Sequence, residues 1–440
     1  MAFDKEEMNR RRQRRLEQKE QSQKQQKRET WILIAVAACL VIAIVCVFLF
    51  FLQSIRNQAP QKPTASQPVQ TQSSVSATEP PTTQPPTTEP PVTLPPDTVI
   101  HLVAGGDLNV TDKIVAAGET GLGYDYSKMF LDVLPVLAEA DVSMLNFESS
   151  LPGTNYGQDS APPQLLTALK NAGVDLLQTA NSKSVTHGLL GLTATLNAIR
   201  NAGMEPIGTF SSPEEFRKTD GFTMLEIQGI RIAVVAFTKG MDGRGIPQGS
   251  EDCVNLLYTD YNSTYQKVDT EGITAVMKKV AKEKPDITVA LLHWGSEYNN
   301  TISSTQKKIC ELLQEQGVDA IIGTHSHYVQ KMTFDQQTGQ FVAYSLGDFL
   351  SDGTQAGTNY SVLLDLQITR DGVTGETKIT GYDWTPIYLQ DETASGGSMR
   401  LLQLRQAMAH YEENGDLSFS ETDYLAMQAA LERIEARVKG

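Results

Sequence analysis

Five side chains, each placed where a short apolar run ends, form the set in this chain best suited to hold a metal. Asp107 closes the run Val99-Ile100-His101-Leu102-Val103-Ala104 by way of Gly105-Gly106. Glu148 follows Val142-Ser143-Met144-Leu145 across Asn146-Phe147, and His293 ends Ile287-Thr288-Val289-Ala290-Leu291-Leu292. His325 and His327 follow Ala320-Ile321-Ile322 within Gly323-Thr324-His325-Ser326-His327. Imidazole mixed with carboxylate suits Mn, Zn or Fe without singling one out. A pair of such ions needs this mixture, lowers the pKa of a bound water and clamps a phosphoryl group. Two more runs end in polar clusters, Val174-Asp175-Leu176-Leu177 before Ala180-Asn181-Ser182-Lys183, and Phe341 to Leu346 before Gly347-Asp348. Each piece alone has a plainer reading. Asp107, Glu148 and Asp348 could cap helix starts, His293 could be a structural histidine, and His-Ser-His could be a solvated turn. What joins them is that half of the six histidines stand at strand ends.

Apolar runs of four to six residues that alternate with helical patterns read as buried strands of an α/β sheet. Open sheets of this class carry their sites just beyond the carboxyl ends of the strands, so the clusters would converge on one edge. The spacing predicts helices over 126–139, 164–172, 191–202, 271–283 and 304–316, with a further capped start at Ser211-Ser212-Pro213-Glu214-Glu215. Residues 221–237 read as a hairpin turning at Gln228-Gly229, and 238–268 as irregular and polar. Strands near 341–346, 360–369 and 375–384 are expected to be antiparallel and to form a second sheet, with 398–437 helical. His101 falls inside an apolar strand, in the core or at its far edge. His187 sits in a loop near the site, and His410 on a late surface helix.

The N-terminal portion is of another kind. Residues 1–30 are strongly basic at Arg10, Arg11, Arg12, Arg14 and Arg15, and Trp31 to Leu52 carries no charge. That run suffices to span ~30 Å of hydrocarbon as a helix, and it is too long for a signal-peptide core. The flanking positive charge places residues 1–30 in the cytoplasm and the rest outside, on a single-pass anchor in the cell membrane. Residues 53–97, rich in Pro, Thr, Ser and Gln, read as an extended tether of ~3.1 Å per residue, on the order of 100 Å in all. A main domain over 98–390 and a helical extension over 391–440 complete the expected organisation. The net charge of −15 disfavours nucleic acid as a partner. Of four cysteines, Cys39 and Cys46 lie in the apolar run; Cys253 and Cys310 could be a disulfide or two free thiols.

Taken in order, Gly106-Asp107, Asn146-Phe147-Glu148, Ala180-Asn181, His293-Trp294-Gly295-Ser296-Glu297, Gly323-Thr324-His325-Ser326-His327 and Tyr344-Ser345-Leu346-Gly347-Asp348-Phe349 resemble the CapA family of poly-γ-glutamate capsule-synthesis proteins. The resemblance spans roughly 98–390. It implies a calcineurin-like metallophosphoesterase fold, an α/β/β/α sandwich displayed on the membrane, with capsule-synthesis proteins and an anionic polymer or phosphorylated ligand as partners. It further implies Asp107, Glu148, His293, His325 and His327 as metal positions for one or two divalent ions. The family usually reads Ala-Asn-Asn-His with an Asp three residues on. Here Ser182, Lys183 and Thr186 stand at the last three of those positions, and Asp348 replaces a usual Asn. Ser182 is a poor ligand, whereas Lys183 with Asn181 could bind an anionic group. His293 and Lys183 are the catalytic candidates, Lys183 a poor general acid unless its pKa falls. Three functions therefore compete: an accessory part of capsule synthesis or export, a surface phosphoester hydrolase, and a catalytically degraded binding module.

Overall fold

The computed structural model describes residues 94–440 apart from 154–155, 158–159, 396 and 415–418. The predicted anchor and tether lie outside the described residues. Among those described, no helix is long and apolar enough to cross a membrane.

The first ten strands are β1 (Thr98–Asn109), β2 (Glu119–Thr120), β3 (Gly123–Tyr124), β4 (Val142–Glu148), β5 (Leu176–Gln178), β6 (Glu205–Ile207), β7 (Thr223–Ile227), β8 (Ile230–Thr238), β9 (Ile287–His293) and β10 (Ala320–Thr324). They are followed by β11 (Met332–Phe334), β12 (Phe341–Ala343), β13 (Asp348–Leu350), β14 (Tyr360–Arg370), β15 (Thr377–Asp391) and β16 (Met399–Gln403). One sheet runs β16-β15-β14-β1-β4-β5-β6, with β13 also pairing β1 beyond the bulge at Gly105-Gly106; the other runs β11-β12-β10-β9-β8-β7. β2 and β3 form a separate small ribbon.

Strand alternation explains the layering. In β1, Ile100, Leu102 and Ala104 point into the core between the sheets, and Val103 and Leu108 point to the helical layer outside. β8 does the same, with Ile230, Ile232, Val234 and Ala236 inward and Ala233, Val235 and Phe237 outward. Helix Pro163–Asn171 buries Leu165, Leu166 and Leu169 on the first sheet. Helices Thr270–Glu283 and Ser304–Glu315 bury Ile273, Met277, Ile309 and Leu313 on the second. The result is a mixed α/β sandwich with two sheets face to face between helices.

Local signals act as expected at several ends. Ser212 accepts a hydrogen bond from the Glu215 amide at the start of helix Pro213–Thr219, and Gln228 (φ 49°) with Gly229 (φ 79°) makes the tight turn between β7 and β8. Three expectations need correction. The single helix over 126–139 is a 3-10 turn, Ser127–Phe130, and a separate helix, Leu134–Ala138. Pro135 has no amide hydrogen to continue a helix and is tolerated only in a first turn. The strands at 341–346, 360–369 and 375–384 do not share a sheet. β12 lies parallel to β10, whereas β14 and β15 pair with each other and extend the first sheet beside β1. The helical stretch from 398 opens instead as β16, whose Met399, Leu401 and Leu402 are buried against the end of β15. Cys253 and Cys310 are free, buried thiols.

Candidate metal centre

Strand register brings the polar strand ends together. Asp107 stands level with Asp348 of β13 on one side and Asn146 of β4 on the other, and Glu148 pairs with Asn109. In the second sheet, His293 is level with Thr324. The glycines permit the close approach: a Cβ on Gly106 would lie 1.8 Å from the Gly347 carbonyl oxygen, which accepts the Asp107 amide at 2.9 Å. After Gly323 the chain turns with His325 (φ 83°) and His327 (φ 59°) both in the left-handed region. Such backbone costs non-glycine residues about 1–3 kcal/mol each and clusters at functional sites.

The five predicted side chains lie in one buried cluster. Asp107 and His293 are fully buried, Glu148, His325 and His327 nearly so. Glu148, His293 and His325 each offer a ligand atom within 4.8 Å of the others, and so do Asp107, Glu148 and His327. Their supports are specific. Asn146 Nδ2 donates to Asp107 Oδ1 at 2.6 Å, and Asn181 Nδ2 donates to Asn146 Oδ1 at 3.0 Å. The His325 amide donates to Asp107 Oδ2 at 2.8 Å. His327 Nδ1 lies 2.8 Å from Asp348 Oδ1, which leaves its Nε2 for a ligand. His293 Nε2 is 2.9 Å from Ser182 Oγ, and its Nδ1 is 3.2 Å from Thr324 Oγ1.

Electrostatics record how costly this gathering is without a cation. Burial pushes the Asp107 carboxyl up to about 6, with Asp348 adding to the rise against the pull of His327. Burial, then the charge of Asp107, pushes Glu148 up to about 8. Burial also holds His293 and His325 well below the usual histidine value. For His327 burial works against the proton, but Asp348, Glu148 and Asp107 outweigh it and carry the ring up to about 10.

Two buried groups argue that the cluster is built for an ion. Neither ring nitrogen of His325 has a hydrogen-bond partner, and neither has Glu148 Oε2. Buried polar atoms are rarely left so, because desolvation without a partner costs about 1–3 kcal/mol. A divalent cation would satisfy them, and oxygen with imidazole nitrogen is its ordinary donor set. A cleft of about 260 Å³ reaches the cluster from solvent, lined by Ser182, Lys239, Asp242, Tyr265, Glu297 and His325 among others.

Comparison with known proteins adds the lineage. Residues 101–353 match the family model described as bacterial capsule synthesis protein PGA_cap. The chain belongs to that family. It is 26% identical over 265 residues to the capsule biosynthesis protein CapA of Bacillus anthracis, covering 57% of this chain and 59% of that protein. It is also 26% identical over 262 residues to the PGA biosynthesis protein CapA of Bacillus subtilis, covering 58% and 64%. The matched part is thus about three fifths of each relative's length. A solved calcineurin-like phosphoesterase from Bacillus subtilis aligns with a TM-score of 0.40 at 13% identity, covering 76% of this chain and all of that one. That likeness is too slight to bear on chemistry.

Within this PGA_cap member, the departures at 182, 183 and 186 have definite places. Ser182 is buried against His293. Lys183 Nζ lies 3.2 Å from Asp242 Oδ2 at the cleft, and its charge reaches Glu148. The Thr186 hydroxyl is buried without a partner. Asn181 faces inward, toward Asn146 and the Phe147 carbonyl. Three histidines stay apart: His101 pairs with Asp365 near the opposite end of β1, and His187 and His410 are exposed. Sequence reasoning assigned no role to Asn146 or Glu297. Asn146 could have been found as the residue two before Glu148, on the same strand face. Glu297, only four residues beyond His293, carries no periodic signal because it lies in a loop.

Proposed function

We propose that this chain takes part in capsule-polymer synthesis or export at the cell surface, through a calcineurin-like metal centre that acts on an anionic or phosphorylated group of the polymer or its precursor. Membership in the capsule synthesis family supports the pathway. The observation that carries the site is the buried gathering of Asp107, Glu148, His293, His325 and His327 with unsatisfied atoms on His325 and Glu148. These five residues would hold one or two ions. When bound, divalent ions supply Lewis acidity and an activated water, the chemistry of phosphoester hydrolysis. The chain's own groups do the positioning. Asn146 orients Asp107, Asp348 fixes the His327 ring, and Lys183 supplies a positive charge at the rim.

A second reading has its own support. Ser182 and Lys183 stand where the CapA pattern has Asn and His, so this centre could bind an anion without turning it over. Elemental analysis of the detergent-purified chain decides between them, together with assay of a phosphodiester. Bound metal with hydrolysis lost in His325→Ala supports the hydrolase. Bound metal without hydrolysis, and anion binding weakened in Lys183→Ala, supports the binding module. A chain without metal under any loading would overturn both. We further place the N-terminus in the cytoplasm and residues 98–440 outside, on the apolar run Trp31 to Leu52 and its basic flank.

A further inference from the structure

We infer that Lys239 is a specificity-determining residue of the cleft, whose ammonium holds a carboxylate of the ligand that the metal centre does not touch. This rests on the metal-centre reading above and deepens it, from a ligand with one anionic group to a ligand with two.

Lys239 is the first residue beyond β8, whose last residue, Thr238, stands level with His293. Its amide donates to the His293 carbonyl at 2.8 Å, which fixes where the side chain starts. The stem lies partly buried in the cleft wall. At its end Nζ donates to the Gly295 carbonyl at 2.9 Å and sits 4.7 Å from the centroid of the Tyr265 ring. That ring is held in turn, edge to face with Tyr258 at 6.1 Å. The backbone beside Lys239 is equally confined, since a Cβ on Gly240 would lie 2.2 Å from the Tyr261 carbonyl oxygen.

An ammonium has three donors, and among the described residues only the Gly295 carbonyl accepts one from Lys239. Nor does Lys239 form an ion pair among them. Asp242 lies 3.2 Å from Lys183 Nζ and 3.6 Å from Arg244 Nη1 instead, and Glu297 acts on Lys239 only through its charge. A partly buried cation held in place without a counter-ion is costly, so at the wall of an open cleft it points to an anion from outside. The charge of Lys239 reaches both His293 and His325, which puts the ammonium and the centre within the span of one short ligand. With Asp242 and Glu297 already nearby, a singly charged carboxylate suits this position better than a doubly charged phosphate. The plainer role of Lys239 is to pin the Gly295 carbonyl and the loop after His293. It predicts that removing the ammonium weakens every ligand alike.

The test is calorimetric titration of the full chain in detergent, loaded with Zn²⁺. The probes are phosphonoacetate, phosphonopropionate and phosphonobutyrate, against ethyl-, propyl- and butylphosphonate, which match them in length and lack the carboxylate. The wild type should bind the best-fitting phosphonocarboxylate about tenfold more tightly than its alkyl counterpart, the worth of one hydrogen bond between charged groups. Lys239→Met, which keeps the stem on Tyr265, should erase that preference and bind the alkylphosphonates as the wild type does. Lys239→Arg should retain most of it. No preference in the wild type at any length would overturn the subsite, as would a preference that survives in Lys239→Met. Equal weakening of both probe classes in Lys239→Met would overturn it in favour of the loop-pinning role. Alkylphosphonates without affinity for the zinc-loaded wild type would overturn the metal-centre reading itself, and the subsite with it.

Discussion

At the scale of single residues, the centre depends on groups that touch the ligands from behind. Asp348 accepts from His327 at 2.8 Å and is itself buried. An Asp348→Asn change keeps the shape and removes the charge that favours the His327 ring in its present orientation. Outer partners of this kind are worth about 10–100-fold in metal affinity. That loss should appear in a metal titration, while the circular dichroism spectrum stays that of the wild type; unchanged affinity would show Asp348 to be a spectator. Ser182 and Lys183 make the opposite case. The double change Ser182→Asn with Lys183→His restores an amide ligand and a titratable ring. Since a well-placed general acid contributes about 10²–10⁴-fold, hydrolysis of bis-p-nitrophenyl phosphate should rise by at least tenfold. If both proteins stay at background, the binding-module reading gains and the hydrolase reading fails.

At the scale of elements, the close packing of β1 on the segment before β13 sets the positions of both aspartates. Gly106→Ala forces a methyl into the Gly347 carbonyl, and overpacking of this kind costs about 1–3 kcal/mol. The urea midpoint should fall, and the metal affinity with it. Helix Pro213–Thr219 offers a pH test remote from the centre. Burial would raise the Glu215 carboxyl, but the Ser211 hydroxyl and amide and the Arg200 guanidinium outweigh it and hold it below 4.5. A depressed carboxyl stabilises the fold above its unfolded value and loses that contribution as pH falls through the folded one. Glu215→Gln should flatten the acid limb of stability below pH 4.5, by less than about 1 kcal/mol for so accessible a pair. These elements also show what the sequence could disclose. The apolar runs before Asp107, Glu148, His293 and His325 were legible because buried strands leave continuous signatures and the polar residue marks the end. The allotment of β12, β14 and β15 to different sheets was not, because alternation reports which face is buried and not which neighbour buries it. Pro135 was visible as a break that the 126–139 periodicity masked. Glu297 was illegible because an exposed loop carries no period, and the loop's place depends on contacts that Tyr298 makes with Ser326 and His327 across the fold.

At the scale of the whole molecule, the proposed topology predicts that proteinase K added to intact cells releases the domain by cutting within residues 53–97. Protection until the cells are lysed would reverse the proposed orientation. The described residues of 391–440 share the core of the main body. β16 is the outermost strand of the first sheet, and Leu404, Met427, Ile434 and Val438 lie in the same buried cluster as Ile100, Leu102 and Ala104. Met427→Ala should cost about 2–5 kcal/mol, as for other truncations in a shared core, measured by thermal unfolding; a loss under 0.5 would mark the last helix as peripheral. That shared cluster constrains the order of events during biogenesis. Residue 100 emerges from the ribosome long before residue 438, yet the two finish one interior. The interior is therefore complete only once the last helix is in place, so a domain that crosses the membrane as we propose would finish it on the far side. On the proposed topology the completed interior would form outside the membrane, and the metal supply there would decide which ion the centre captures.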